Sequence, residues 1–272
     1  MLTARSLSRR TLIAAIATLA SGARLLDLRI AGRARARQVP ARYRVLVFSR
    51  TVGFRHDSIP DAIAAVQTLG DQSGFLVDAT EDPSVFTDSG LAGYSAVIFL
   101  LTTGNVLDAS QHAAFERYVQ AGNGFVGGHS ATDTEYQWRW YGGLVGAYFA
   151  SHPDIQTAAV QREDSNHPST VSLPDLWVRT DEWYNFQTNP RDDGDIHVLA
   201  SLDEASYSGG TMGDHPIAWY HSYDGGRAWY TAGGHTRESY AEPLFLAHLK
   251  GGIEYAAGAQ PGEDPGGLDR PE

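Results

Sequence analysis

The chain contains no cysteine. This absence excludes thiol nucleophiles, disulfide bonds and cysteine-ligated metal sites. Basic residues are also scarce, because 21 Lys and Arg oppose 32 Asp and Glu, a formal net charge of −11 over 272 residues. Residues 1–36 hold seven of the basic residues and one acidic residue, so the remainder carries a formal charge of −17. A body this acidic repels phosphate backbones, and we expect no nucleic-acid partner.

The positive charge at the N-terminus has the pattern of an export signal. Residues 8–13 (Ser-Arg-Arg-Thr-Leu-Ile) precede an uncharged run over 14–23 that is too short to span a bilayer. Residues 1–36 are therefore predicted to be a twin-arginine signal, with a candidate cleavage site at Ala34-Arg35-Ala36. A surface helix or lipid-facing anchor is the alternative. The signal predicts a periplasmic or extracellular protein without a membrane contact after cleavage.

Strand and helix patterns alternate along the first half of the remaining chain. Apolar runs at 44–49, 75–79, 96–101 and 124–128 predict buried strands. Ser58-Ile59-Pro60 predicts the start of one helix, and Asp108, with Gln111 three residues on, caps another that Gly122 ends. This alternation is typical of a parallel sheet with helical connections.

Beyond residue 150 the strand patterns become mixed or period-two, at 157–161, 197–202 and 216–220, which indicates antiparallel additions. A further strand is predicted at 227–231, a closing helix at 243–257 and a disordered tail at 258–272. The sequence thus predicts one α/β domain over 43–257. Its fold class is flavodoxin-like and doubly wound, with a mainly parallel sheet and additional antiparallel strands.

Three histidines follow glycines just beyond predicted strands. His56 follows Gly53-Phe54-Arg55, His129 follows Gly127-Gly128, and His235 follows Gly233-Gly234. If those strands are parallel neighbours, the three imidazoles converge on one crevice at the carboxyl edge of the sheet. Alternatively, each histidine caps its own loop through backbone hydrogen bonds.

Carboxylates and aromatic residues lie close to these histidines in the sequence. Asp133 lies four residues beyond His129, so a helical turn would place the two on one face. Residues 181–184 (Asp-Glu-Trp-Tyr) offer two acids beside two rings. Trp138 and Trp140 follow His129 and provide flat apolar faces that suit sugar rings, although burial in the core is the alternative.

Six blocks in order along the chain resemble the ThuA-like (trehalose-utilisation) family. They are residues 49–56, 102–107, 124–133, 181–184, 215–219 and 233–236, within a span of about 43–257. The resemblance implies a fold similar to class I glutamine amidotransferases. It also implies a connection with carbohydrate breakdown, in some members through 3-keto sugars, and hence a small-molecule sugar as the partner.

The chain departs from the amidotransferases at the residue that matters most for their chemistry. They carry a cysteine after the corresponding strand, where this chain has Gly128-His129-Ser130. Thiolate-dependent glutamine hydrolysis is therefore excluded. Acid-base chemistry by histidine and carboxylate remains, with or without one divalent metal, and no nucleotide cofactor is expected.

Candidate residues can be assigned to both versions of this chemistry. His129 is predicted to be the central base or metal ligand, Asp133 its orienting partner, His56 and His235 its neighbours, and Glu182 a general acid or base. The predicted metal ligands are His56, His129, His215 and His235, a set that suits Zn, Mn, Ni or Fe. The predicted substrate-binding residues are Thr103, Asn105, Trp138, Trp183 and Tyr184.

The favoured function is an exported enzyme that acts on a glycoside or 3-keto sugar by hydrolysis or elimination. One alternative is a serine hydrolase, in which Ser130 attacks and Asp181 and His235 complete a triad in the chain order of α/β-hydrolases. Another is a non-catalytic periplasmic protein that binds a sugar.

Overall fold

The computed structural model describes residues 43–259. The predicted export signal at 1–36 lies outside these residues, as does the predicted tail beyond residue 259. Within the described part of the chain, none of the helices combines the length and the apolar character needed to cross a membrane.

Strands and helices alternate as follows. The strands are β1 (Arg44–Phe48), β2 (Leu76–Thr80), β3 (Ala96–Leu100), β4 (Gly124–Gly128), β5 (Phe149–Ser151), β6 (Gln156–Arg162), β7 (Leu176–Asp181), β8 (Asn185–Phe186), β9 (His197–Leu202), β10 (Pro216–Tyr223) and β11 (Gly226–Thr231). The α-helices are α1 (Ile59–Ser73), α2 (Asp88–Leu91), α3 (Ala109–Gln120), α4 (Arg139–Val145) and α5 (Pro243–Ala256).

Nine of these strands form one sheet, in the order β2-β1-β3-β4-β11-β10-β9-β6-β7. The first five are parallel to one another. Their order is that of a flavodoxin-like sheet, in which ligands bind beyond the carboxyl ends of the strands. The predicted fold class is confirmed.

The other half of the sheet is antiparallel. β10 pairs with β11, β9 with β10, β6 with β9 and β7 with β6, all in antiparallel register. The three predicted antiparallel additions correspond to β6, β9 and β10. The small separate sheet of β5 and β8 was not predicted, because strands of three and two residues carry no periodic signal.

Burial explains why the central strands have their composition. Every residue of β3 and β4 is buried, as expected for parallel strands covered by helices on both faces. Phe48, Phe99 and Phe125, from three neighbouring strands, pack with Phe115 of α3 in the core on one side of the sheet. A rigid core of this kind fixes the strand ends from which the loops of the site begin.

The predicted helix starts differ in how they are capped. Asp108 forms the expected capping box with Gln111 at the start of α3. Ser58 precedes α1 as predicted, but its side chain caps no helix N–H. Its hydroxyl donates instead to the carbonyl of His235 at 2.7 Å. The serine therefore joins the loops after β1 and β11 at the carboxyl edge of the sheet.

Candidate functional site

Four side chains meet at the carboxyl edge of the parallel strands: His56, His129, Glu182 and His235, called here the His/Glu cluster. One ligand atom from each lies within 4.8 Å of the others. His129 Nε2 is 3.2 Å from His235 Nδ1 and 3.4 Å from Glu182 Oε2. His235 Nδ1 is 3.1 Å from the same Glu182 oxygen. Three imidazoles and one carboxylate form an N/O donor set suited to a divalent metal.

The topology explains why these residues meet. His56, His129 and His235 follow β1, β4 and β11, whose carboxyl ends share one edge because the strands are parallel. The ring centroid of His56 lies 5.0 Å from those of both other histidines. Glu182 directly follows β7. The structure thus brings together the three histidines whose positions after glycines predicted convergence.

His129 has an unusual backbone conformation. Its φ is 50°, in the left-handed region that few residues other than glycine adopt, with asparagine, aspartate and histidine the most frequent exceptions. The buried Tyr230 hydroxyl donates to its carbonyl at 2.7 Å, which helps to hold the turn. A residue in this conformation directly after a central strand presents its side chain to the carboxyl edge, as the nucleophile does in α/β-hydrolases.

A backbone carbonyl orients the His129 ring. His129 Nδ1 lies 2.7 Å from the carbonyl oxygen of Ala232, to which it donates, so Nε2 faces the cluster. Asp133 was predicted to perform this role, and that prediction is wrong. Residues 129–133 form a 3₁₀-helix, in which residues four apart do not share a face. Asp133 instead accepts a hydrogen bond from the Tyr136 hydroxyl at 2.6 Å.

A buried carboxylate, Asp181, connects the loops that carry Glu182 and His235. It accepts hydrogen bonds from the backbone N–H groups of Gly234 at 2.7 Å and His235 at 3.0 Å. It also forms a buried ion pair with Arg179 at 2.7 Å. Burial alone would raise the pKa of Asp181, but the Arg179 charge and these hydrogen bonds hold it below the usual range.

This network excludes the serine-hydrolase triad. The Asp181 oxygens are engaged by Arg179 and by backbone N–H groups, and His235 Nδ1 faces Glu182 and His129. The Ser130 hydroxyl is fully buried and has no hydrogen-bond partner among the described residues. A serine without a base or access to solvent cannot attack a substrate.

The electrostatic state of the His/Glu cluster suits cation binding. Burial, followed by the nearby imidazoles of His129 and His235, lowers the pKa of His56 to about 3. Burial would raise the pKa of Glu182, but hydrogen bonds from His129 and His235 hold it well below its usual range. Burial likewise opposes the charge on His235, yet the hydrogen bond and charge of Glu182 raise its pKa. At neutral pH, His56 is therefore neutral and Glu182 is ionised, as metal ligands must be, whereas a metal bound at His235 would have to displace the proton that Glu182 favours there.

A cavity of about 270 Å³, called here the cluster cavity, opens onto these ligands. Its lining residues are Phe54, His56, Asp133, Phe149, His152, Glu182, Tyr184 and His235. Tyr184, a predicted substrate-binding residue, is among them, and its ring centroid lies 4.2 Å from that of His129. Aromatic walls around a few polar groups are typical of small-molecule sites.

Sequence reasoning missed His152, whose Nδ1 lies 3.1 Å from Glu182 Oε1. A proline follows it in the sequence, which is typical of a loop. The available signal was its place directly after a strand, but β5 has only three residues and cannot be recognised from its pattern. Phe54 and Phe149, which face the cluster cavity, were missed as well.

The structure places His215 outside the His/Glu cluster, which corrects its prediction as a metal ligand. Its Nε2 lies 2.8 Å from the Tyr184 carbonyl, and its Nδ1 lies 2.8 Å from Glu204 Oε1. Both ring nitrogens are thus occupied by protein groups. His215 holds the backbone of Tyr184 in place and does not offer a nitrogen to a metal.

Four other predicted substrate-binding residues lie away from the cluster cavity. Thr103 is buried, and its hydroxyl donates to the Phe54 carbonyl at 2.7 Å, while Asn105 is exposed on a neighbouring surface. Trp183 is fully buried, and its Nε1 donates to the Gln156 carbonyl. Trp138 stacks on His112 at a ring-centroid distance of 3.8 Å.

Comparisons with known proteins agree with this architecture. A family profile described as ThuA, trehalose utilisation, matches residues 44–256. No curated protein matches the chain. A ThuA-like protein from Bacteroides uniformis is 26% identical, with a TM-score of 0.72 over 83% of this chain and 96% of that one.

Two further solved structures share the fold. A ThuA-like protein from Parabacteroides merdae is 19% identical, with a TM-score of 0.68 over 83% of this chain and 92% of that one. A β-galactosidase from Bacillus circulans is 13% identical, with a TM-score of 0.54 over 81% of this chain but only 32% of that enzyme. At these identities the likeness is one of fold.

Proposed function

Since the chain belongs to the ThuA trehalose-utilisation family, we propose that it cleaves a glycoside, or the 3-keto form of one, by hydrolysis or elimination. The observation that carries this proposal is the His/Glu cluster at the base of a cavity with aromatic walls. Cleavage of a glycosidic bond needs charge stabilisation at oxygen and a group that transfers a proton. The cavity offers residues for both.

The residues of the cluster fit a divalent metal such as Zn, Mn, Ni or Fe. Three nitrogens and one oxygen lie within 4.8 Å of one another, and Glu182 is held in its ionised form. The buried Nδ1 of His56 has no hydrogen-bond partner among the described residues, so no hydrogen bond from them competes with a metal for this nitrogen. When bound, a divalent ion would supply Lewis acidity toward a sugar oxygen or a water molecule.

Asp133 is the proposed proton-transfer group. Its carboxylate lines the cluster cavity but lies outside the cluster, and its Oδ2 receives no hydrogen bond from the described residues. Burial raises the pKa of Asp133 against the opposing hydrogen bond from Tyr136, which favours reversible protonation. Glu182, predicted to be a general acid or base, is better suited to metal ligation because its pKa is held low.

Metal content and turnover test the proposal together. Protein purified without chelator is expected to contain one divalent ion per chain by elemental analysis. It should convert 3-keto-trehalose or trehalose to products detected by mass spectrometry, and chelation should remove both the ion and the activity. At 100 times the dissociation constant, the ion should add about 2.7 kcal/mol to the free energy of unfolding.

Glu182→Gln is the variant that tests metal binding by the cluster, because the amide keeps the shape of the side chain but removes its charge. This variant should lose most of the stabilisation by metal. Full turnover by metal-free protein would refute the metal-dependent form of the proposal. Saturable sugar binding without product under metal supply would show a binding protein instead.

We also propose that the protein is exported by the twin-arginine route, on the evidence of Arg9-Arg10 and the uncharged run after them. Replacing both arginines by lysine should leave the full-length precursor in the cytoplasm, because the transport machinery reads the arginine pair. Immunoblots of periplasmic and cytoplasmic fractions measure this. Arg24→Lys, also within the first 36 residues, is the control and should leave export intact. Equal export of the double-lysine variant would contradict the route.

A further inference from the structure

A second cavity, of about 670 Å³, lies beside Tyr136 and is called here the aromatic cavity. Its lining includes Tyr136, Trp140, Tyr148 and Tyr223, together with the polar side chains of Gln137, Arg139 and Thr188. Ligand pockets typically measure roughly 300–1,000 Å³. The aromatic cavity falls within this range, whereas the cluster cavity, at about 270 Å³, is at its lower limit.

The rings of the aromatic cavity are held in place by the protein. Trp140 Nε1 donates to Asp224 at 2.8 Å, and the Tyr148 hydroxyl donates to the Glu135 carbonyl at 2.9 Å. A Cβ at Gly142 would lie 2.7 Å from the Tyr148 ring, so this glycine allows the ring to lie directly on α4. Trp140 stacks on Trp138 at a ring-centroid distance of 5.1 Å, and Tyr148 lies 5.0 Å from Tyr136. Because the polar atoms of Trp140 and Tyr148 are already bonded, the surface that these rings leave uncovered is mainly apolar carbon.

In contrast to these rings, the polar side chains around the aromatic cavity are not held by hydrogen bonds from other described residues. Gln137, Arg139 and Thr188 are exposed, and none makes a side-chain hydrogen bond or ion pair with another described residue. The fixed aromatic rings match the apolar faces of a pyranose ring. The unengaged amide, guanidinium and hydroxyl groups match its polar edge. Such a ring has C–H groups on its faces and hydroxyls at its edge.

Tyr136 connects the two cavities. It lines the aromatic cavity, and its hydroxyl donates to Asp133 at 2.6 Å and also lies 3.2 Å from the Phe149 carbonyl oxygen. Asp133 and Phe149 both line the cluster cavity. One residue thus separates the proposed proton-transfer group from a sugar-sized site.

We infer that the aromatic cavity is a subsite for the second ring of a disaccharide glycoside whose first ring occupies the cluster cavity. The inference rests on the proposed function and narrows its substrate class to glycosides of at least two rings. It assigns Trp140 as the stacking platform, and Gln137 and Arg139 as donors to the hydroxyls of the second ring.

Equilibrium binding of two sugars tests the inference independently of catalysis. Calorimetric titration of the full-length protein with trehalose and with methyl α-glucoside should show tighter binding of trehalose. Trp140→Ala should weaken trehalose binding at least about tenfold, and far more than it weakens methyl glucoside binding. Gln137→Trp, which fills the cavity from an exposed turn, should do the same if Trp140→Ala does not fold.

Gln67→Trp is the matched control, since Gln67 is exposed on α1 and makes no hydrogen bond. It should bind both sugars like the unaltered protein. Equal binding of the two sugars, no binding of either, or equal weakening of both in the cavity variants would overturn the inference. Trehalose binding that depends on Trp140 without any product would support the subsite and refute only the catalytic proposal.

Discussion

His129→Asn is expected to lower kcat/KM on the 3-keto glycoside by at least about 100-fold and to abolish stoichiometric metal binding. The imidazole is fully buried, and its Nε2 lies 3.2 Å from His235 Nδ1 and 3.4 Å from Glu182 Oε2, so the substitution removes the nitrogen that contacts both of these groups. Asparagine is preferred to alanine because it tolerates the left-handed backbone, with φ of 50°, at this position. Steady-state kinetics and elemental analysis measure the two effects.

Ser130→Ala is the control for this variant. The Ser130 hydroxyl is buried without a hydrogen-bond partner among the described residues, so its removal should change neither turnover nor stability by much. Thermal unfolding of both variants shows whether the fold is kept. Turnover that survives in the asparagine variant, or is lost in the alanine variant, would show that residue 129 is not the centre of the site.

Asp181→Asn is expected to lower the free energy of unfolding by about 3 kcal/mol. The carboxylate is fully buried against Arg179, and removing its charge leaves the guanidinium with Glu242 as its one anionic partner among the described residues. Asp181 also accepts the N–H groups of Gly234 and His235, so the variant should misplace His235 and weaken metal binding. Urea unfolding and metal titration provide the measurements.

An exposed ion pair provides the comparison for this loss of stability. Asp88 pairs with Arg117 at 2.9 Å, and both side chains are more than half exposed, at 69% and 54%. Asp88→Asn should therefore cost only about 0–1 kcal/mol, because solvent screens the pair. Similar losses in the two variants would mean that the Asp181 network does not stabilise the fold as its burial implies.

Much of the parallel half of the fold could be predicted because its signals are local. β1 and β3 are continuous apolar runs, and the capping box of Asp108 marks the start of α3. The same holds for His129 and His235, since glycine pairs precede both. Their convergence needs only that parallel strands end at one edge of a sheet.

The placement of the remaining site residues depends on three-dimensional geometry that the local sequence pattern does not reveal. Asp181 and Glu182 are adjacent acids, and only the register of β7 decides that the first is buried against Arg179 while the second reaches the cluster. Asp133 was misassigned as a partner of His129 because a 3₁₀-helix replaces the α-helical turn on which the prediction relied. Trp183 was misassigned because it faces the core.

The members of the His/Glu cluster lie far apart in the sequence, since His56 follows the first strand and His235 follows the last. An ion that binds all four residues would join the ends of several long polypeptide loops at one point. In a chain that can form no disulfide, such an ion acts as a reversible cross-link that restricts the unfolded chain. A chelator would then release all of these loops at once, and unfolding would become faster as well as more favourable.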